Sequence, residues 1–102
     1  MNMSLRPLGK VRDIVQSTGL DISYAYDDLV FSDHSVFILR FDNRVHEKLY
    51  LHFNTECNRE EAEIFEISIV NSGKIGGIEI IKDKNFVLKQ KEGKEEIDIE
   101  FL

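Results

Sequence analysis

The chain is poor in the residues that mark several large protein classes. It has one cysteine, one proline and no tryptophan in 102 residues. A lone Cys57 cannot close an internal disulfide, so a disulfide-stapled secreted scaffold is excluded and a reducing compartment, the cytoplasm, is expected. Apolar runs never exceed four residues, the longest being Val36-Phe37-Ile38-Leu39. A membrane-spanning helix needs about 20. Met1 to Lys10 lacks the apolar stretch of a signal peptide. No Pro/Gly/Ser-rich linker, low-complexity tract or repeat divides the chain, and residues 1–102 are expected to form one domain.

Positive charge is also scarce. Thirteen Lys and Arg face nineteen Asp and Glu, for a net charge of -6. Nucleic-acid binding needs a basic face to neutralise phosphates, so neither DNA nor RNA is an expected partner. The basic excess near the start, from Arg6, Lys10 and Arg12, is slight. Lys82, Lys84, Lys89, Lys91 and Lys94 alternate with Asp83, Glu92, Glu95 and Glu96, which suits a solvated strand surface rather than a phosphate track.

What is present is ordinary globular chemistry, 42% hydrophobic and 31% charged. Leu8, Val11, Ile14, Val15 and Thr18 recur at helical spacing between Pro7 and Gly19, which predicts a first helix. From Asp21 the period becomes that of strands. Ile22–Tyr26 and Leu29–Ser32 flank Asp27-Asp28, as a tight hairpin or one bulged strand. Val36–Phe41 and Lys48–Phe53 alternate cleanly. A short turn at Asp42-Asn43-Arg44-Val45 places Phe41 opposite Glu47, Leu39 opposite Leu49 and Phe37 opposite Leu51. The other face of this hairpin, with Val36, Ile38, Tyr50 and His52, is too apolar for open water. A helix, a later hairpin or a second copy of the chain must cover it.

Residues 55–73 carry two signals. Asn58-Arg59-Glu60-Glu61 has a helix-capping spacing, Ala62, Phe65 and Ile69 form a helical stripe, and Gly73 suits a stop. Phe65, Ile67 and Ile69 alternate as in a strand; helix is the favoured assignment. The remainder predicts strands, Ile78–Lys82 turning at Asp83-Lys84-Asn85 into Phe86–Gln90, then Glu92-Gly93-Lys94 turning into Ile97–Phe101. The expected fold is α+β, with two helices and predominantly antiparallel sheet in the order α-β-β-β(-β)-α-β-β-β. Its core centres on Val11, Val15, Phe37, Leu39, Phe41, Leu49, Leu51, Phe53, Phe65 and Ile69, completed by Ile78, Ile80, Val87, Ile97, Ile99 and Phe101. The helix–strands–helix order of residues 7–72, with the small size and acidity, resembles the dimeric secretion-chaperone fold. That resemblance implies a dimer that shields an unfolded segment of a client. The strands after residue 72 depart from that fold, which ends in a helix.

Three constellations merit a chemical reading. Cys57, at the start of the second helix, lies in a place where the dipole favours thiolate. The turn Asp33-His34-Ser35 is expected nearby, with Asp33 or Asn54 orienting His34. No motif fixes that spacing, and a small apolar Cys57 beside a turn histidine is the simpler outcome. Metal ligation is not expected, because His46 and His52 are about 20 Å apart along one strand and the aspartates have turn spacing. Gly73-Lys74-Ile75-Gly76-Gly77 lacks the ending of a phosphate loop and leads into a strand. The carboxylates form no acid–base pair, and no cofactor is expected.

The aromatic set Tyr24, Tyr26, Phe31 and Tyr50, with Val36, Ile38 and His52, suits sheet cover and subunit interface alike. The favoured function is therefore a small acidic cytoplasmic interaction domain, adaptor or chaperone-like, non-catalytic and homodimeric, with a protein client as a possible partner. The alternatives are a thiol enzyme using Cys57 and His34, or a small-molecule module walled by Tyr24, Tyr26 and Tyr50.

Overall fold

A computed structural model describes residues 6–90, 93 and 97–102. Helix α1 (Leu8–Gln16) buries Val11, Ile14 and Val15, the stripe its spacing dictates, while Leu8 remains exposed. Strands β1 (Ile22–Tyr26) and β2 (Leu29–Ser32) form a hairpin across Asp27-Asp28, with an irregularity between Ile22 and Tyr24. Of the two options for this segment the hairpin is realised, and its first strand carries a bulge. A 3-10 turn (Asp33–Ser35) leads into β3 (Phe37–Phe41) and then β4 (Lys48–Phe53).

The β3–β4 register corrects the expected one by two residues. Phe41 faces Leu49, Leu39 faces Leu51 and Phe37 faces Phe53. The connection is longer than the predicted turn because Asp42 organises it. Its carboxylate accepts from the N–H groups of Arg44 and Val45, each at 2.9 Å, and from the Tyr50 hydroxyl at 2.9 Å. A slip of two preserves the facing of every side chain, so Phe37, Leu39, Phe41, Leu49, Leu51 and Phe53 still share one buried face.

Residues 59–75 are helical. In α2 (Arg59–Ile75) Asn58 is the N-cap, its side chain accepting from Glu60 N–H at 2.8 Å and Glu61 N–H at 3.3 Å. Gly73 is not the stop it resembles. It is buried inside the last turn, where a Cβ would lie 2.8 Å from both Ile78 O and Ile80 Cγ1. The chain leaves the helix through Gly77, at φ +75.

Strand β5 (Glu79–Lys82) then pairs with β4 in parallel. The main sheet, ordered β1-β2-β3-β4-β5, is therefore mixed, with α2 as the crossover between its two parallel strands. The predicted hairpin of this strand with the next does not form. Instead β6 (Phe86–Gln90) pairs with β7 (Ile97–Phe101) as a separate two-stranded sheet. Of the turn predicted at Glu92-Gly93-Lys94, Glu92 and Lys94 lie outside the described residues.

Helices α1 and α2 contribute to the core over one face of the main sheet. The β6–β7 hairpin covers the other, packing Phe86, Leu88 and Ile99 on Leu29, Phe31 and Ile38. Several core assignments change as a result. Phe86 is fully buried, whereas Ile97 is 61% exposed and Phe101 lies at the hairpin rim over His52. Val87 is half-buried; Val30 and Ile38, not among the expected core residues, are buried.

Candidate protein-interaction surface

The seven residues singled out as an interface do not form one patch. Val36 packs on the helix-covered core. Ile38 and His52 lie beneath the chain's own β6–β7 hairpin and are almost fully buried, so a second copy cannot reach them in this fold. Tyr50 is half-buried, donates to Asp42 and carries the Arg40 guanidinium 4.5 Å above its ring. Only Tyr24 and Tyr26 remain largely open, at 57% and 64%, with Phe31 just beneath them.

Local structure explains that placement. Tyr24 pairs with Phe31 and Tyr26 with Leu29, so the two tyrosines project from β1 on the hairpin-covered side of the sheet. Their rings stack 6.4 Å apart at 11°. The β6–β7 hairpin stops short of them and leaves a cleft of about 520 Å³. Tyr24, Tyr26 and Phe31 wall one side, Leu88, Ile97 and Ile99 the other. Sequence reasoning missed the second wall because nothing local shows that β6–β7 folds across the sheet.

His52 is the polar exception in this interior. Its Nδ1 is 2.7 Å from Lys84 O and its Nε2 accepts from Arg40 Nε at 3.2 Å. A guanidinium can only donate, so Nε2 is unprotonated and Nδ1–H points to the carbonyl, a neutral imidazole. Burial lowers its pKa below the ordinary histidine value, with Arg40 pushing the same way against the Lys84 carbonyl and Asp83. Arg40 also reaches Asp83 at 3.4 Å. The Phe101 ring closes the network from above, 4.5 Å from the imidazole. A histidine on an otherwise apolar strand was the visible signal for this network, though its partners were not.

The thiol constellation is brought together only in part. His34, Asn54 and Cys57 line one cleft of about 500 Å³ with Glu61 and Phe65. No hydrogen bond joins His34 to Cys57 among the described residues; the thiol donates weakly to Asn58 O at 3.5 Å. Burial and the Glu61 carboxylate both push the Cys57 pKa up, away from thiolate. The groups meant to orient the imidazole are engaged elsewhere. Asp33 accepts from Asp21 N–H at 3.1 Å, and the Asn54 amide donates to Ser35 O at 3.1 Å. They hold a turn in which His34 and Ser35 both have positive φ. The arrangement can stabilise that turn but does not activate a nucleophile.

No three His, Cys, Asp or Glu side chains are grouped to hold a metal ion among the described residues, and no helix there is long and apolar enough to cross a membrane. Comparison with known proteins finds no matching family, no matching curated protein and no matching solved structure.

Proposed function

We propose that this protein is a non-catalytic interaction domain, adaptor or chaperone-like in role, that acts as a homodimer in the cytoplasm. The supporting observation is the stacked Tyr24–Tyr26 pair, exposed beside an apolar cleft on an otherwise acidic chain. Tyrosine contributes large apolar area at low entropic cost and keeps a polar tip for water, which suits a surface that alternates between free and bound. The thiol alternative lacks an activated Cys57, as its raised pKa and the engaged Asp33 and Asn54 indicate. Analytical ultracentrifugation from micromolar to millimolar concentration tests the proposal. A reversible monomer–dimer equilibrium, weakened by Tyr24→Ala with Tyr26→Ala, is expected; a strict monomer throughout overturns the homodimer.

The cleft itself favours a second reading, a small-molecule module. Tyr24 and Tyr26 line it but Tyr50 does not. A thermal shift with a panel of apolar aromatic compounds, abolished by Phe31→Ala in a folded variant, would support that reading over the first.

A further inference from the structure

Of the four edge strands among the described residues, one differs from the rest. Edge strand β5 carries Glu79 and Lys82, β6 carries Lys89, and β7 carries Asp98 and Glu100. Charged side chains on an edge oppose pairing with another chain. Edge strand β1 reads Ile22-Ser23-Tyr24-Ala25-Tyr26, with no charge and no proline, and four of its five residues are exposed.

Its free hydrogen-bonding groups can be assigned. Phe41 N–H donates to Asp28 O at 2.9 Å, which sets the β2–β3 ladder so that the backbone groups of Val30 face β3. Ala25 lies opposite Val30 on β1 and so turns its own N–H and C=O away from β2, to the open edge. Asp33 N–H donates to Asp21 O at 2.8 Å, which turns the backbone of Ile22 outward as well, although its N–H is taken by the Asp21 carboxylate at 2.7 Å and only its carbonyl faces the edge unengaged by that contact. The bulge at Ser23 limits the regular stretch to Tyr24–Tyr26.

We infer that β1 is the dimerisation edge, adding antiparallel to β1 of a second copy and joining two five-stranded sheets into one. The inference rests on the homodimer proposed above and assigns its contact. The charge pattern at the ends of β1 argues for a second copy as the occupant, and β1 itself carries no charge to add to the repulsion between two chains of net charge -6. The ends of β1 are complementary when the strands run antiparallel. At one end Asp21 pairs with Arg12 at 3.3 Å; at the other Arg6 donates to Asp27 O at 2.8 Å. Antiparallel addition sets each Asp–Arg end against the other, so Arg12 meets the Asp27 end and Arg6 meets the Asp21 end. The Tyr24–Tyr26 pairs of both copies then lie on one face of the joined sheet, and the two apolar clefts become neighbours across the two-fold.

The test uses Ala25. Ala25→Pro removes the outward N–H, which no bond among the described residues uses, and proline is tolerated on the open side of an edge strand. Ala25→Lys keeps the backbone and places like charges across the two-fold. Both are compared with wild type by sedimentation equilibrium, with circular dichroism to check folding. The inference expects a wild-type dimer, loss of the dimer in each folded variant, and an Ala25 amide whose hydrogen exchange slows as wild-type concentration rises. If Ala25→Pro does not fold, Ala25→Lys and the exchange measurement decide. A wild-type dimer that Ala25→Lys leaves intact overturns the β1 contact but not the homodimer. A wild-type monomer overturns both and leaves the edge to an extended segment of a different protein. Growth beyond two copies indicates head-to-tail strand addition and overturns the two-fold pairing.

Discussion

Leu39 and Ile38 are neighbours in β3, both with no exposed surface, yet they enter different interiors. Leu39 joins a continuous apolar cluster with Val11, Val15, Phe37, Leu51 and Ile69, its buried members drawn from both helices and from strands β2, β3 and β4. Ile38 clusters with the buried Phe31 and Phe86 among the described residues, beside a buried histidine that is held by an arginine and a backbone carbonyl. One face of the sheet is a core centred on fully buried apolar side chains. The other is a seam, closed by a two-stranded hairpin and organised by hydrogen bonds. A small chain can enclose both faces of a sheet, but here it does so with unequal means.

The strongest challenge to this contrast is a pair of truncations. Leu39→Ala is expected to fall in the upper part of the ~2–5 kcal/mol range for deleting a buried large aliphatic side chain. Ile38→Ala should fall in the lower part of that ~2–5 kcal/mol range, because the hairpin can settle into the space while two helices and a sheet cannot. Urea denaturation of both variants checks this, and an equal or larger loss at Ile38 would abolish the distinction. Gly73→Ala tests how tightly the helix side is set. Its Cβ would meet the Ile78 carbonyl oxygen, so a loss of about 1–3 kcal/mol is expected by thermal or urea unfolding. Asn58→Ala removes the cap of α2 and should cost about 1 kcal/mol, with the first-turn amides exchanging faster.

The smallest expected effect is titration, confined to the seam. The folded-state pKa of His52 is depressed, so the unfolded chain binds its proton first. The stabilising contribution is complete above the ordinary histidine pKa of about 6.5 and declines as pH falls below it, until the folded-state value is passed. Amide exchange in β6 and β7 should therefore accelerate between pH 7.5 and 5.5 relative to α1 and α2. His52→Gln should remove that pH dependence. Acceleration equal in both regions would place the titration outside the seam.

The sequence showed more of the core than of the seam, for a physical reason. In β3 and β4 the alternation of Phe37, Leu39 and Phe41 with Leu49, Leu51 and Phe53 is local, and an error of two in register leaves it intact. Asn58 and the Ala62, Phe65, Ile69 stripe likewise announced α2 from within a few residues. The parallel placement of β5 depends on a crossover over α2, and no residue in Glu79–Lys82 encodes direction. Phe86 reads as an ordinary strand start, and only the hairpin's position makes it a buried anchor. Tyr24 and Tyr26 were identifiable as aromatic candidates; Ile38 and His52 were grouped with them because nothing showed that the chain's own last strands would cover those two.

The order of elements along the chain has a consequence for synthesis. Everything needed for the helix-covered core, α1 through β5, precedes the hairpin that closes the opposite face. During translation the five-stranded sheet can therefore assemble with Ile38, Phe31 and His52 still bare, until β6 and β7 emerge. For that interval the nascent protein presents a wider sticky surface than the finished one, and the speed with which its final two strands dock sets how long it stays vulnerable to aggregation.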